Sequence, residues 1–218
     1  MAVHSTTLDV RGYRGDSLAH RHLRQEGEPR GLGLILPGMG YGLAHAGLRY
    51  PETLLAELGF DTFGLETRYS TPDFQSLPDE EALDWLKADA LGALGAATAA
   101  RAYSEICVVG KSLGTLGLLL LLAEGALPPA PRLIWLTPLL MRPEVRENIT
   151  RHAGQSLVVI GTQDPHYRPK WLDGLAAAGA ETLVLAGADH SFDVEGDVFA
   201  SLRHLETMVR RIGSFLEG

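Results

Sequence analysis

The sequence is short of cysteine, of long apolar runs and of basic tracts, and each shortage removes a class of protein. One cysteine, Cys107, stands among 218 residues, so no disulfide forms within the chain. Its place in the apolar run Ile106–Val109 suits a small core hydrophobe rather than a redox or metal group. No uncharged apolar stretch reaches the ~20 residues that span a bilayer. The nearest, Ile106 to Ala123, is interrupted by Gly110, Lys111 and Ser112, and a lysine at mid-membrane is costly. No membrane partner is expected. Acidic residues outnumber basic ones, 27 to 19, for a formal charge of −8, and no tract rich in lysine or arginine offsets it. Such a surface repels phosphate backbones, so nucleic acid is not an expected partner. The first residues carry His4 and Asp9 and lack the apolar centre of a secretory signal, which makes the cytoplasm the expected location. Repeats, low-complexity tracts and Pro/Ser-rich linkers are also missing. With 45% hydrophobic residues the chain is expected to bury one core as a single domain, 1–218.

What is present is an alternation of short apolar runs with longer amphipathic ones, the pattern of a mostly parallel sheet with helices on both faces. Leu32–Leu36, Ile106–Val109, Leu133–Leu136 and Leu157–Ile160 read as strands covered on both sides, with two more at Asp61–Leu65 and Thr182–Leu185. Rough alternation across Thr6–Leu23, around Gly12 to Asp16, predicts an N-terminal antiparallel hairpin leading to the sheet. Ser76-Leu77-Pro78-Asp79 predicts a capped start to a helix over Asp79–Ala100, with Leu83, Leu86, Ala90, Leu94 and Ala97 on one face. A last helix has Val198, Leu202, Leu205, Val209, Ile212 and Leu216 in one stripe. Leu113–Ala123 is apolar nearly all round. It is expected to be enclosed, with Leu116–Leu122 as core rather than a lipid-binding surface.

The segment Ile106 to Gly114 is a strand entering Gly-x-Ser-x-Gly and then a helix. A serine at such an elbow has strained backbone angles and crowded surroundings, which Gly110 and Gly114 relieve. It is held out at the carboxyl end of the sheet, at a helix N-terminus that favours developing negative charge. Gly110-Lys111-Ser112 also imitates the end of a phosphate-binding loop. That reading fails because Glu105 stands where the first glycine is required.

With these residues the chain resembles the α/β-hydrolase family, whose catalytic residues follow the order serine, acid, histidine. The resemblance implies Ser112 as nucleophile, Asp164 after Leu157–Ile160 as orienting acid and His190 after Thr182–Leu185 as base. For the acid, Glu66 and Asp189 remain alternatives, as does a helix-capping role for Asp164. His166 is too near Asp164 in sequence for the family geometry and reads as a rim residue. The oxyanion would be held by the backbone N–H of Leu113 and, from the loop Leu36 to Gly40, that of Met39. Many family members carry a histidine where Pro37 stands. Only Thr137 to Ser156 is available for a cap after the nucleophile helix's next strand, so a lidless form is expected. It resembles dienelactone hydrolases and small carboxylesterases, although the former use cysteine where this chain has Ser112.

The function implied is hydrolysis of a small ester, thioester or related acyl bond, a small-molecule substrate, with no cofactor. Transfer of the acyl group to another acceptor and a binding protein without turnover are the alternatives. Met39, Tyr41, Tyr69, Phe74, Leu139, Met141, Trp171 and Phe192, on loops at the active edge, are the expected pocket walls. The same loops carry Arg68, Lys111, Arg142, Arg168 and Lys170, a basic rim suited to an anionic substrate, set against Asp73, Glu144 and Asp193. His20-x-His22 could be a metal pair on a strand, but no further ligand spacing supports it and no metal is expected. Substrate identity, acyl-chain preference and oligomeric state are left open.

Overall fold

A computed structural model describes residues 3–218. Its centre is an eight-stranded sheet in the order β1-β2-β4-β3-β5-β6-β7-β8. β1 (Val3–Thr6) and β2 (Ala19–Gln25) pair antiparallel, and β2 runs antiparallel to β4 (Asp61–Glu66). From β4 onward the strands are parallel: β3 (Leu32–Leu36), β5 (Ile106–Lys111), β6 (Arg132–Leu136), β7 (Ser156–Gly161) and β8 (Glu181–Leu185). The expected hairpin is there, with a longer connection than a tight turn: a 3-10 turn at Tyr13–Gly15 lies between its strands. This excursion is tied to the body by Asp89, whose buried carboxylate accepts from the Tyr13 N–H, the Trp85 indole and the Tyr69 hydroxyl.

Helices cover both faces because the central strands are apolar on both sides. One face packs under α2 (Pro72–Gln75), α3 (Asp79–Ala100), α4 (Gly114–Ala123), α5 (Pro143–Arg151) and α6 (Pro169–Ala177). The other packs under α1 (Ala46–Glu57) and α7 (Val198–Glu217). No helix among the described residues is long and apolar enough to cross a membrane.

Two local expectations change. Ser76 does not cap α3; it is the C-cap of α2, and Pro78 precedes α3 with no side-chain cap bond. The link between the two helices is too short for Ser76 to serve the second. Three acids in the first turn, Asp79, Glu80 and Glu81, complement that helix end instead. On α7 the buried stripe is Ser201, Met208, Ile212, Phe215 and Leu216, while Val198 and Leu202 are exposed. Their side chains face solvent, so apolar periodicity at the start of α7 does not mark contact.

The β2 histidines serve the sheet. His20 accepts from the Leu8 N–H at Nε2 and donates from Nδ1 to the Leu18 carbonyl. His22 is fully buried, with Nδ1 bonded to the Thr6 hydroxyl and its ring against Phe63. Burial lowers its pKa to about 4, with Asp61 opposing the shift. The folded state therefore binds fewer protons than the unfolded state between about pH 4 and the ordinary histidine value of 6.5. Stability from neutral His22 is complete above that window and is lost as pH falls through it. Urea unfolding across the window is expected to show a smaller acid loss in His22→Leu than in the parent protein; identical pH dependence would refute the assignment.

Candidate active site

The chain order places the site. β3 pairs with β4 on one side and β5 on the other, so the loops after β3 and β5 diverge to opposite faces and leave a crevice at their carboxyl ends. Ser112 follows β5 with a left-handed φ of 51°, a conformation costing a non-glycine residue about 1–3 kcal/mol. The elbow is held in place by the Ser112 N–H donating to the Leu136 carbonyl (2.9 Å) and by the Thr115 N–H and hydroxyl donating to the Ser112 carbonyl (2.9 and 2.6 Å). Its tightness comes from backbone lying on backbone. A Cβ at Gly114 would sit 2.0 Å from the Leu36 carbonyl oxygen, so only glycine fits.

Three side chains meet here. His190 Nε2 lies 2.8 Å from Ser112 Oγ, and His190 Nδ1 lies 2.7 Å from Asp164 Oδ2. The second Asp164 oxygen accepts from the His166 N–H at 2.8 Å, which leaves the carboxylate buried and oriented. The loops carrying Asp164 and His190 are laced together: the Gln163 N–H donates to the Ala188 carbonyl and the Gly187 N–H to the Thr162 hydroxyl. A carboxylate, an imidazole and a hydroxyl in this line can pass a proton from the hydroxyl to the ring and stabilise the resulting cation. Of the other acids, Glu66 is exposed at the end of β4, and Asp189 shapes its own turn by accepting from the Ser191 and Asp193 N–H groups. The His166 ring packs 5.9 Å from that of His190, centroid to centroid, and its burial lowers its pKa.

The two expected oxyanion donors flank the serine. Leu113 is the N-cap of α4, at the positive end of the helix. Met39 follows Gly38, where the backbone passes so near Ser112 that an added Cβ would be 3.0 Å from the serine Cβ. Beside them opens a cleft of about 340 Å³, with Met39, Phe74, Leu77, Leu83, Leu86, Leu113 and Leu116 in its walls and Gln75, Asp79 and Arg142 at polar positions. Leu83 and Leu86 had read only as the buried face of a helix, so nothing in their spacing marked a cleft.

The remaining expected wall residues divide. Met141 is exposed, Leu139 is half-buried, and Trp171 is half-buried with the guanidinium groups of Arg146 and Arg168 against its ring. Tyr41 is half-buried, its hydroxyl accepting from the Gly47 N–H. Two are corrections: Phe192, fully buried, and Tyr69, whose hydroxyl donates to Asp89, do not line the cleft. Both lie on loops that fold back into the core. One member of the basic rim is also corrected, while Arg168 and Lys170 are exposed. β5 runs two residues further than the apolar run, so Lys111 points with Cys107 and Val109 toward the α1 and α7 face and is fully buried. Arg68 pairs with Asp16, and Arg142 with Asp79 and Glu144.

No family model matches the sequence, and neither does any curated protein. Solved structures do match over nearly the whole chain. Est1E from Butyrivibrio proteoclasticus, solved with ferulic acid bound, is 16% identical with a TM-score of 0.71, covering 97% of this chain and 98% of its own. XC6422 from Xanthomonas campestris, an α/β serine hydrolase without a lid, is 17% identical with a TM-score of 0.69, covering 99% and 94%. The chain has the α/β-hydrolase fold. A dienelactone hydrolase from Anabaena variabilis shares this hydrolase fold at 13% identity and a TM-score of 0.71, covering 99% of this chain and 97% of its own. As in a lidless hydrolase fold, the segment between β6 and β7 holds α5 and a short 3-10 turn.

Gly114→Ala tests the backbone contact that shapes the elbow. The clash with Leu36 is expected to destabilise the protein by about 3 kcal/mol or more in urea unfolding. A variant as stable as the parent would show that the elbow has slack.

Proposed function

We propose that the protein is a serine hydrolase that cleaves a small ester, thioester or related acyl bond through a covalent intermediate on Ser112. The observation carrying this reading is the unbroken line from Ser112 Oγ through His190 to Asp164, at 2.8 and 2.7 Å. In the first half-reaction His190 Nε2 takes the Ser112 proton as Oγ attacks the acyl carbon. The carbonyl oxygen becomes an oxyanion facing the N–H groups of Leu113 and Met39. Collapse breaks the bond to the leaving alcohol or thiol, which departs with the proton from His190, and leaves Ser112 acylated. Water, deprotonated by the same imidazole, then releases the carboxylic acid and restores the serine. Asp164 holds the Nδ1–H tautomer and offsets the imidazolium charge. The scheme uses no cofactor.

The resemblance of the fold to a lidless serine hydrolase, to Est1E with its ferulic acid and to a dienelactone hydrolase supports acyl chemistry. The cleft beside Met39 and Leu113 supports an acyl group of short to medium length or one aromatic ring, since its walls are mainly leucine, with Phe74 and Met39 beside them.

A fluorophosphonate probe is expected to label the protein at one site and to leave Ser112→Ala unlabelled. Asp164→Asn is expected to retain the fold and lose on the order of 10⁴-fold in kcat on an aryl ester, the scale of this exchange in other triads. Absence of Ser112-dependent labelling would remove the reading and favour a binding protein. For the cleft, Leu83→Trp is expected to raise KM for hexanoyl or benzoyl esters while leaving acetyl esters little changed; equal effects on all would place the acyl group elsewhere.

A further inference from the structure

The Lys111 ammonium is a buried cation that the acyl-transfer scheme does not use. Its Nζ donates to the His190 carbonyl at 2.8 Å and to the Thr137 hydroxyl at 2.9 Å. The rings of Tyr41 and Phe192 lie beside it, with centroids 4.2 and 5.2 Å away. Three non-glycine residues with left-handed backbone surround this one charge: Ser112 (φ 51°), its neighbour in sequence, Thr137 (φ 43°), which it bonds, and Phe192 (φ 72°), which it packs against. Such conformations persist only where the surroundings over-determine them. A charge-assisted hydrogen bond to the backbone of His190 itself is a direct restraint on where that ring sits.

We propose that Lys111 is a positioning residue, whose buried ammonium ties the loops of His190 and Thr137 to the end of β5 and so keeps the imidazole in line between Ser112 and Asp164. The inference rests on Ser112 being the nucleophile. It also explains why an apolar strand ends in lysine rather than in another aliphatic residue. An aliphatic side chain would fill the space and leave the His190 carbonyl without this donor.

Burial brings the Lys111 pKa down to about 8, against the nearby carboxylates of Asp164 and Asp189, which favour the charged form. The other titratable groups on the elements around it are His190 and Asp193, on the loop it binds, Tyr41, and His45, which stacks on Tyr41 from the start of α1. Loss of the charge at alkaline pH weakens the tie, so the His190 imidazole is held less firmly in line between Ser112 and Asp164.

The test measures esterase kinetics and fluorophosphonate capture for the parent, Ser112→Ala and Lys111→Met, from roughly pH 6 to pH 10. Lys111→Met is expected to lower kcat by about 10- to 100-fold with KM changed much less, as a misplaced catalytic group does. Its melting temperature is expected to be unchanged or higher, since exchanging a buried charge for an apolar side chain need not destabilise. The parent's capture rate is expected to fall several-fold with a midpoint near pH 8, and this fall to be missing from Lys111→Met. A Lys111→Met protein with parental kcat and the parental alkaline fall would overturn the proposal while leaving the serine hydrolase reading intact. If that variant does not fold, Thr137→Val, which removes one acceptor of the ammonium, takes its place: parental kcat with the parental alkaline fall overturns the proposal, and a lowered kcat with KM little changed supports it. Absence of capture in the parent would instead defeat the reading on which the inference rests.

Discussion

Backbone pressed on backbone at the crossing of β3 and α4 is the constraint on which the site depends. Gly114 lies against the Leu36 carbonyl, and this contact brings the start of α4 down onto the end of β3. A helix starting that close forces the residue between strand and helix into a left-handed conformation, and that residue is Ser112. The same approach carries the loop after β3, with Gly38 and Met39, up against the serine. One steric fact thus sets the hydroxyl, the helix end and the neighbouring N–H groups together. Side-chain packing could not do this, because side chains would hold the two backbones apart.

The other half of the site depends on parallel strands ending at one edge. Asp164 and His190 are distant from Ser112 in sequence, yet β5, β7 and β8 point the same way, so the loops that follow them share a rim. Hydrogen bonds between the loops after β7 and β8 then bring Asp164 and His190 to bonding distance. Beneath that rim sits Lys111, fully buried and bonded to the same histidine loop. The rim is therefore tied from below by a charge as well as across its top by loop contacts.

Much of this was legible in the residues. The strands at Leu32–Leu36, Leu133–Leu136 and Leu157–Ile160 announce themselves as short apolar runs, because burial on both faces removes any polar alternation. Gly-x-Ser-x-Gly between such a run and an apolar helix marks the elbow, and Asp164 and His190 follow strand ends in order. Less was legible wherever a side chain's surroundings come from elsewhere in the chain. Lys111 looked like a loop cation because charge usually marks a loop; its strand position aims it inward. Phe192 and Tyr69 looked like pocket walls because they stand on loops at the active edge, yet both side chains are buried away from the cleft. Val198 and Leu202 fit the α7 stripe by spacing and are exposed in space. Ser76 fits a capping box and is taken by the helix before it.

By itself the sequence determined the class of fold, the order of its strands and helices, and the three polar residues at strand ends. These are local properties: periodicity, glycine where no Cβ fits, and chain order, each readable without knowing what lies across the sheet. Only the tertiary structure decided which carboxylate reaches His190, which apolar side chains open into a cleft and which close into the core, and that a lysine is held beneath the site. Those outcomes depend on distances between residues far apart in the chain, and such distances are set by how helices seat on a twisted sheet.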